Sequence, residues 1–311
     1  LPRCGLSFEI GGCSHTLNGR FALNPGDPVR IAAIDIGTNS IHMVIAQAND
    51  PNGFEVVDRE REVVQIGRGS FASGRLRTDA IRRTVDALRR FVELARRQQV
   101  DRILCTATAA VREARNGGDF LAAARGACGI TPRVIPAAEE GRLIYLAVQG
   151  ALRLDAEPSL IVDIGGGSVQ LVVGDDTRCL EVVSAPLGAL RLTETLHPSD
   201  PPARRDLQKL RRTIRRGARA ALKAVARHAP VRVYGSSGAI HALAHIAHSL
   251  ETGRPLPLIN GHVLTLESLR RVERRLQRMT AAERERLPGI DAKRAEIIVP
   301  GATLLVHILE G

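Results

Sequence analysis

One pattern occurs twice in this chain, and the repetition limits its fold more than any other feature. Residues 31–46 read I-A-A-I-D-I-G-T-N-S-I-H-M-V-I-A. An apolar run ends in Asp35, a tight turn follows at Gly37-Thr38-Asn39-Ser40, and a second run alternates apolar with small or polar residues. That pattern predicts a buried strand, a turn and its hairpin partner. Residues 160–174 read L-I-V-D-I-G-G-G-S-V-Q-L-V-V-G. Here Asp163, Gly165 and Ser168 fall where the first copy has Asp35, Gly37 and Ser40. A single such turn needs its Gly and Asn for conformational reasons alone. A matched pair points to chemistry. Backbone N–H groups and hydroxyls in a turn suit phosphate, and a carboxylate at the bend suits a hydrated divalent cation beside it.

The segments after each copy repeat as well. In the first half a third strand within 53–66 precedes a helix opened by Thr78, whose apolar positions Ile81, Val85, Leu88, Val92 and Ala95 recur at helical spacing. A strand at 100–105 then leads into Thr106-Ala107-Thr108. In the second half, strands at 160–164, 168–174 and 178–184 precede a long helix at 203–228 and a strand at 231–234. The loop Gly235-Ser236-Ser237-Gly238 stands where the first half has Thr106-Ala107-Thr108. Each half is thus strand, strand, strand, helix, strand, loop, helix, the mark of a duplicated unit with two phosphate-type turns per copy facing a shared cleft.

A chain of 311 residues suffices for two domains with sizeable cores, and 44% hydrophobic with 25% charged residues is an ordinary globular composition. The expected division is an extension over 1–29, a first domain over 30–140 and a second over 141–311 with helical additions. The final apolar helix, 297–311, is a candidate to pack back on the first domain. No membrane span is expected, because that run contains Pro300, Gly301 and His307 and is too short. Five scattered cysteines without a C-x-x-C pair fit neither a disulfide framework nor a zinc site, so a reducing cytoplasm is the default location.

The formal net charge of +11 is carried almost wholly by arginine. It reads either as a solvated arginine-rich surface or as the footprint of a polyanion. Nucleic acid is disfavoured as that polyanion, since two Tyr, six Phe and no Trp leave little to stack on bases. On the helix at 203–228, Arg205, Lys209, Arg212, Arg216, Arg219, Lys223 and Arg227 form a single-sign ribbon.

Mg2+ prefers one or two carboxylates plus water and substrate phosphates, a set that Asp35 with Asp163 matches. Water activation needs another group. Glu139 and Glu140 lie on the first turn of a helix after Pro136-Ala137-Ala138, and residue chemistry leaves open both the choice between them and a simple helix-dipole role. Arg112 could neutralise charge on a transferring phosphoryl group, or be one more surface arginine. His241, His245 and His248 share a helix face, but no acid accompanies them there before Glu251 to complete a metal site.

Several segments together resemble the exopolyphosphatase and guanosine pentaphosphate phosphatase family. They are A-I-D-I-G-T-N-S at 33–40, T-A-T-A-A-V-R-E-A-R-N at 106–116, A-A-E-E-G-R-L at 137–143 and I-V-D-I-G-G-G-S at 161–168. P-L-G-A-L-R-L at 186–192, Y-G-S-S-G at 234–238 and K-R-A-E-I-I-V-P-G at 293–301 complete the set. The resemblance implies an α/β fold of two duplicated ribonuclease-H-like domains, of the actin and sugar-kinase type, with an interdomain cleft. It implies hydrolysis of the terminal phosphoanhydride of inorganic polyphosphate, or of guanosine pentaphosphate, with magnesium. It places the catalytic glutamate on Glu140, with Arg112 as the arginine of the first-domain motif and Asp35 and Asp163 at the metal. Phosphate contacts then fall to Gly37, Thr38, Asn39, Ser40 and Thr108, to Gly165, Gly166, Gly167 and Ser168, and to Gly235, Ser236 and Ser237. A homodimer and a non-catalytic polyphosphate- or alarmone-binding role remain open alternatives. Longer members carry a further helical domain not present in this sequence, which leaves processivity on long polymers open.

Overall fold

The computed structural model describes residues 29–48 and 54–311. The expected extension over 1–29 therefore lies, except for Val29, outside the described residues. In the first half, strands β1 (Val29–Ile36), β2 (Ile41–Ala48) and β3 (Phe54–Glu62) are followed by helices α1 (Ser70–Ser73) and α2 (Thr78–Arg97). Strand β4 (Arg102–Ala107), helices α3 (Ala109–Glu113) and α4 (Gly117–Cys128) and strand β5 (Arg133–Val134) complete it. Helix α5 (Ala137–Ala151) leads to β6 (Ser159–Ile164), β7 (Val169–Gly174) and β8 (Cys179–Ala185). Then come α6 (Ala189–Leu196), α7 (Arg204–Ala226), β9 (Arg232–Ser236) and α8 (Gly238–Thr252). The chain ends in α9 (Leu266–Leu276), α10 (Ala281–Arg284), α11 (Ala292–Ala295) and α12 (Ile298–Glu310).

The duplication is topological. The first sheet has the order β3-β2-β1-β4-β5 and the second β8-β7-β6-β9. In each, an antiparallel three-strand meander is joined through a helical crossover to a parallel strand on its other side. The same register brings Asp35 beside Thr106 and Asp163 beside Ser236. Both carboxylates thus sit at the carboxyl ends of central strands, where open α/β sheets bind ligands.

The two central strands differ in cover. β6 is buried on both faces: Leu160, Val162 and Ile164 enter the larger core, while Ile161 packs with Tyr145 and Val148 of α5. In β1 only Ala32, Ile34 and Ile36 are buried, and Ala33 and Asp35 are exposed on the opposite face. The first strand is therefore half-buried, not wholly buried as its unbroken apolar run suggested. Helix α5 supplies the cover on the second sheet, and Gly141 lets it approach: a Cβ there would lie 2.3 Å from Cγ1 of Val182.

Helix boundaries follow local chemistry. Thr280 and Glu283 form a reciprocal capping box, and Asp291 caps α11 through the N–H of Arg294. Thr78, expected as a cap, is the first residue inside α2, with Arg77 at the cap position. Helix α12 is apolar on nearly every side, and its buried side chains lie in the larger core with those of α7, α8 and α9. A helix hydrophobic all round must be enclosed, and α12 finds that enclosure in the second half, not in the first as anticipated. No helix of the described residues is long and apolar enough to cross a membrane.

Candidate active site

The two repeated turns share one hydrogen-bond design. The N–H of Gly37 donates to the carbonyl of Ser40 at 3.0 Å, and that of Gly165 to the carbonyl of Ser168 at 3.0 Å. In the first turn the carbonyls of Thr38 and Asn39 accept from the N–H groups of Gly67 and Gln65. In the second, the carbonyls of Gly165 and Gly166 accept from Ala189 and Arg191, and that of Gly167 from Nε of Arg191. Every one of these carbonyls is tied back into its own half. The N–H groups of Thr38, Asn39, Ser40, Gly166, Gly167 and Ser168 have no acceptor among the described residues. Unpaired N–H groups in a turn form an anion-binding concavity. Oδ1 of Asn39 is also buried without a partner, a second polar atom in want of a ligand or water.

The turns touch each other. A Cβ on Gly166 would lie 3.0 Å from Cβ of Thr38, and one on Gly167 would lie 2.9 Å from its Oγ1. Glycine is needed here because the two halves meet, backbone against side chain. Thr38, Ser40 and Ser168 are accordingly buried, and Ser168 Oγ accepts from Nε2 of buried Gln170 at 2.9 Å.

Asp35 remains accessible from the cleft yet is crowded by protein, and that loss of solvation pushes its pKa up to about 6. A hydrogen bond from Thr106 Oγ1, at 3.4 Å, opposes the rise, and the negative charge of Asp163 adds to it. Burial likewise raises Asp163 to about 6, against a hydrogen bond from Ser236. Two carboxylates that repel each other in a poorly solvated cleft gain from a shared cation. No group of three or more His, Cys, Asp or Glu able to hold a metal exists among the described residues. A pair of carboxylates with free coordination positions is what Mg2+ takes when water and substrate phosphates supply the rest, so the donor set fits that ion.

The two glutamates on α5 have different surroundings. Glu139 turns outward, where Arg133 grips both of its oxygens, at 2.8 and 2.5 Å. Glu140 turns into the cleft, where Nη1 of Arg112 lies 3.2 Å from its Oε2. Burial raises the Glu140 pKa, Arg112 opposes the rise, and Asp35 and Asp163 reinforce it. Arg112 also donates to the carbonyl of Ile135 at 2.8 Å, so it is anchored and not a free surface arginine.

Two hydroxyls expected to meet phosphate also take part in local hydrogen bonds. The hydroxyl of Thr108 donates to the carbonyl of Ile36. That of Ser237 caps α8 through the N–H of Ile240. Ser237 has φ of 93°, a region nearly reserved for glycine, and such strain concentrates at functional turns. At Gly235 the missing Cβ is explained by Ile240, whose Cγ2 would lie 2.6 Å from it. His248 packs edge-on against His262, and burial lowers the pKa of His241, so the histidine face of α8 reads as packing. Sequence reasoning named Thr106 only as part of its loop, and singled out neither Gln170 nor Arg191. The first two could have been found by carrying the strand register of one half onto the other.

Residues 32–311 match the model of the Ppx/GppA phosphatase family. The chain is 34% identical over 287 residues to "Exopolyphosphatase 2" of Mycobacterium tuberculosis, covering 90% of this chain and 89% of that protein. It is 30% identical over 275 residues to "Exopolyphosphatase 1" of Mycobacterium leprae, covering 88% and 80%. The crystal structure of an exopolyphosphatase from Cytophaga hutchinsonii superposes with a TM-score of 0.85 at 27% identity, over 90% of each chain. That of an Aquifex aeolicus Ppx/GppA family member gives 0.72 at 29% identity, over 91% of this chain and 90% of the other. The two-sheet architecture, the paired turns and these similarities agree, and the chain belongs to the Ppx/GppA phosphatase family.

Proposed function

We infer that the protein is an exopolyphosphatase, which releases the terminal phosphate of inorganic polyphosphate by hydrolysing its phosphoanhydride. The observation that carries this reading is the placement of Glu140: anchored by Arg112, raised in pKa, and within electrostatic reach of both Asp35 and Asp163. Relatives named exopolyphosphatase, similar over nearly their whole length, support the choice of substrate.

In this reading the unpaired N–H groups of the two turns receive successive phosphate oxygens. Asp35 and Asp163 hold Mg2+, which when bound neutralises charge on the phosphates. Glu140 orients the attacking water or accepts its proton, a role that a carboxylate of raised pKa performs near neutral pH. Arg112 keeps Glu140 in place and offers positive charge to the transferring phosphoryl group. Contact between the two turns excludes bulk water from the reacting centre. The exposed cations of α7, Arg212, Arg216, Arg219 and Lys223 among them, provide a track for the rest of the polymer.

Phosphate release is to be measured with Mg2+ from polyphosphate and, in parallel, from guanosine pentaphosphate. Faster release from polyphosphate by the wild type, lost in Glu140→Gln, is the expected result. Preference for the nucleotide would reassign the substrate. Binding of either without turnover would make the protein a sensor.

A further inference from the structure

Arg191, in the first turn of α6, touches the second glycine turn and the opposite half together. Its Nε donates to the carbonyl of Gly167 at 2.6 Å. Its Nη2 reaches both carboxylate oxygens of Glu113, at 2.8 and 2.7 Å. Its guanidinium carbon stands 4.0 Å over the ring centroid of Phe71. Glu113 ends α3, the helix that carries Arg112, and Phe71 of α1 packs against both major cores. One helical turn further, Glu194 accepts from the N–H of Gly69 at 2.6 Å, so the same face of α6 grips the first half twice.

A trans peptide is planar, with its C=O and N–H pointing in opposite directions. Whatever holds the carbonyl of Gly167 therefore aims the N–H of Ser168. The N–H groups of Gly166 and Gly167 are aimed in the same way, through the carbonyls of Gly165 and Gly166, but by the backbone of α6. Those two are set by the fold of the second half alone. Only the third depends on a side chain, and that side chain is braced by the first half. In the first turn the ties on the Thr38 and Asn39 carbonyls, from Gly67 and Gln65, are backbone bonds.

We propose that Arg191 is a positioning residue that makes the orientation of the Ser168 N–H conditional on closure of the two halves. Glu113 and Phe71 hold the guanidinium so that Nε stays on the Gly167 carbonyl. When the halves part, that bracing is lost and the Ser168 peptide is free to turn. The phosphate site is complete only when Arg112 and Glu140, carried with Glu113 and the start of α5, are in place. The ion pair by itself is worth little, because Glu113 is 44% exposed. Its consequence is geometric. The proposal rests on the phosphohydrolase reading of the same cleft.

The test compares wild type with Arg191→Lys, Glu113→Gln and the double variant, in kcat and KM for polyphosphate and in melting temperature. Lysine keeps the charge but cannot span the carbonyl and the carboxylate in one plane. Loss of a preorganised donor costs roughly 100-fold or more in kcat. Misaiming one should lower kcat about tenfold in Arg191→Lys, with KM within about twofold. The double variant should be no worse than Arg191→Lys alone, since both changes release one device. Unchanged kcat in folded Arg191→Lys, or additive losses, would overturn the proposal. Should Arg191→Lys fail to fold, Glu113→Gln alone decides, with lowered kcat at an unchanged melting temperature expected and unchanged kcat overturning it. If wild type releases no phosphate from polyphosphate, the functional reading fails separately. The proposal is then decided by the melting-temperature rise given by tripolyphosphate with Mg2+: a smaller rise in Arg191→Lys supports it, and an equal rise overturns it.

Discussion

Nη1 of Arg112 lies 3.2 Å from Oε2 of Glu140 while the same nitrogen donates to the carbonyl of Ile135 at 2.8 Å. A cation anchored on backbone thus holds an acid that the cleft would otherwise drive towards its neutral form. Burial raises the Glu140 pKa, Arg112 restrains it, and the charges of Asp35 and Asp163 push it up again. Opposing influences of this kind set the ionisation of a carboxylate in a poorly solvated site.

The two adjacent glutamates should respond differently. Glu140→Gln is expected to lower kcat by roughly 100- to 10,000-fold, the usual worth of a general base. Glu139→Gln breaks an exposed pair with Arg133 and should change activity and stability little, by about 0–1 kcal/mol. Phosphate release and thermal unfolding of both variants check this. Equal loss in the two would remove Glu140 from its role.

Removing Arg112 should shift the acid limb of the pH–rate profile. In the proposed mechanism Glu140 works as a base only when deprotonated, and Arg112 is the largest influence opposing its raised pKa. Arg112→Met is therefore expected to move the acid limb of kcat to higher pH, besides lowering its plateau. A lowered plateau with an unmoved limb would mean that Arg112 acts on substrate and not on Glu140.

In metal-free protein, Asp35 and Asp163 should cost stability at neutral pH. Both titrate near 6 when folded against a reference value of 3.8. Between these values the two groups hold more protons in the folded chain, so their contribution to stability is greatest below about 4 and is lost as pH rises through about 6. Asp163→Asn removes one such charge and should melt higher than wild type at pH 7.5 without metal, a gap that closes at acid pH. Added Mg2+ should raise the melting temperature of wild type more than that of Asp163→Asn. Scanning calorimetry across pH, with and without the ion, measures both.

Gly188 should not tolerate a side chain. A Cβ there would lie 2.3 Å from the carbonyl carbon and oxygen of Gly166 and 2.4 Å from the carbonyl carbon of Gly167. These are backbone atoms, held in turn by α6. Gly188→Ala is expected to displace the turn, destabilising the fold by about 1–3 kcal/mol, and to lower activity more than that loss explains. Wild-type activity in the folded variant would show that the turn has slack.

Much of this architecture was legible because it is local and stated twice. Asp35 and Asp163 end apolar strands before small-residue turns, and the same spacing recurs in both halves. Helical spacing located α2 and α7. Less legible was which face of a strand would be covered. Periodicity shows that β1 has apolar side chains, but exposure of Ala33 and Asp35 depends on where α5 packs, more than a hundred residues later in the chain.

The amino-acid order by itself determined the duplication, the two turns and the acids placed at their bends, because strand, turn and helix signals are written within a few residues of one another. Only the tertiary structure decided how those parts are used. It turned Glu139 towards Arg133 and Glu140 towards Arg112, engaged the hydroxyls of Thr108 and Ser237 in local hydrogen bonds, and set Thr106 beside Asp35 and Ser236 beside Asp163. It also joined Arg191 to Glu113 across 78 positions of sequence. Contacts of that separation follow from sheet register and from the closure of two halves, which no window of sequence contains.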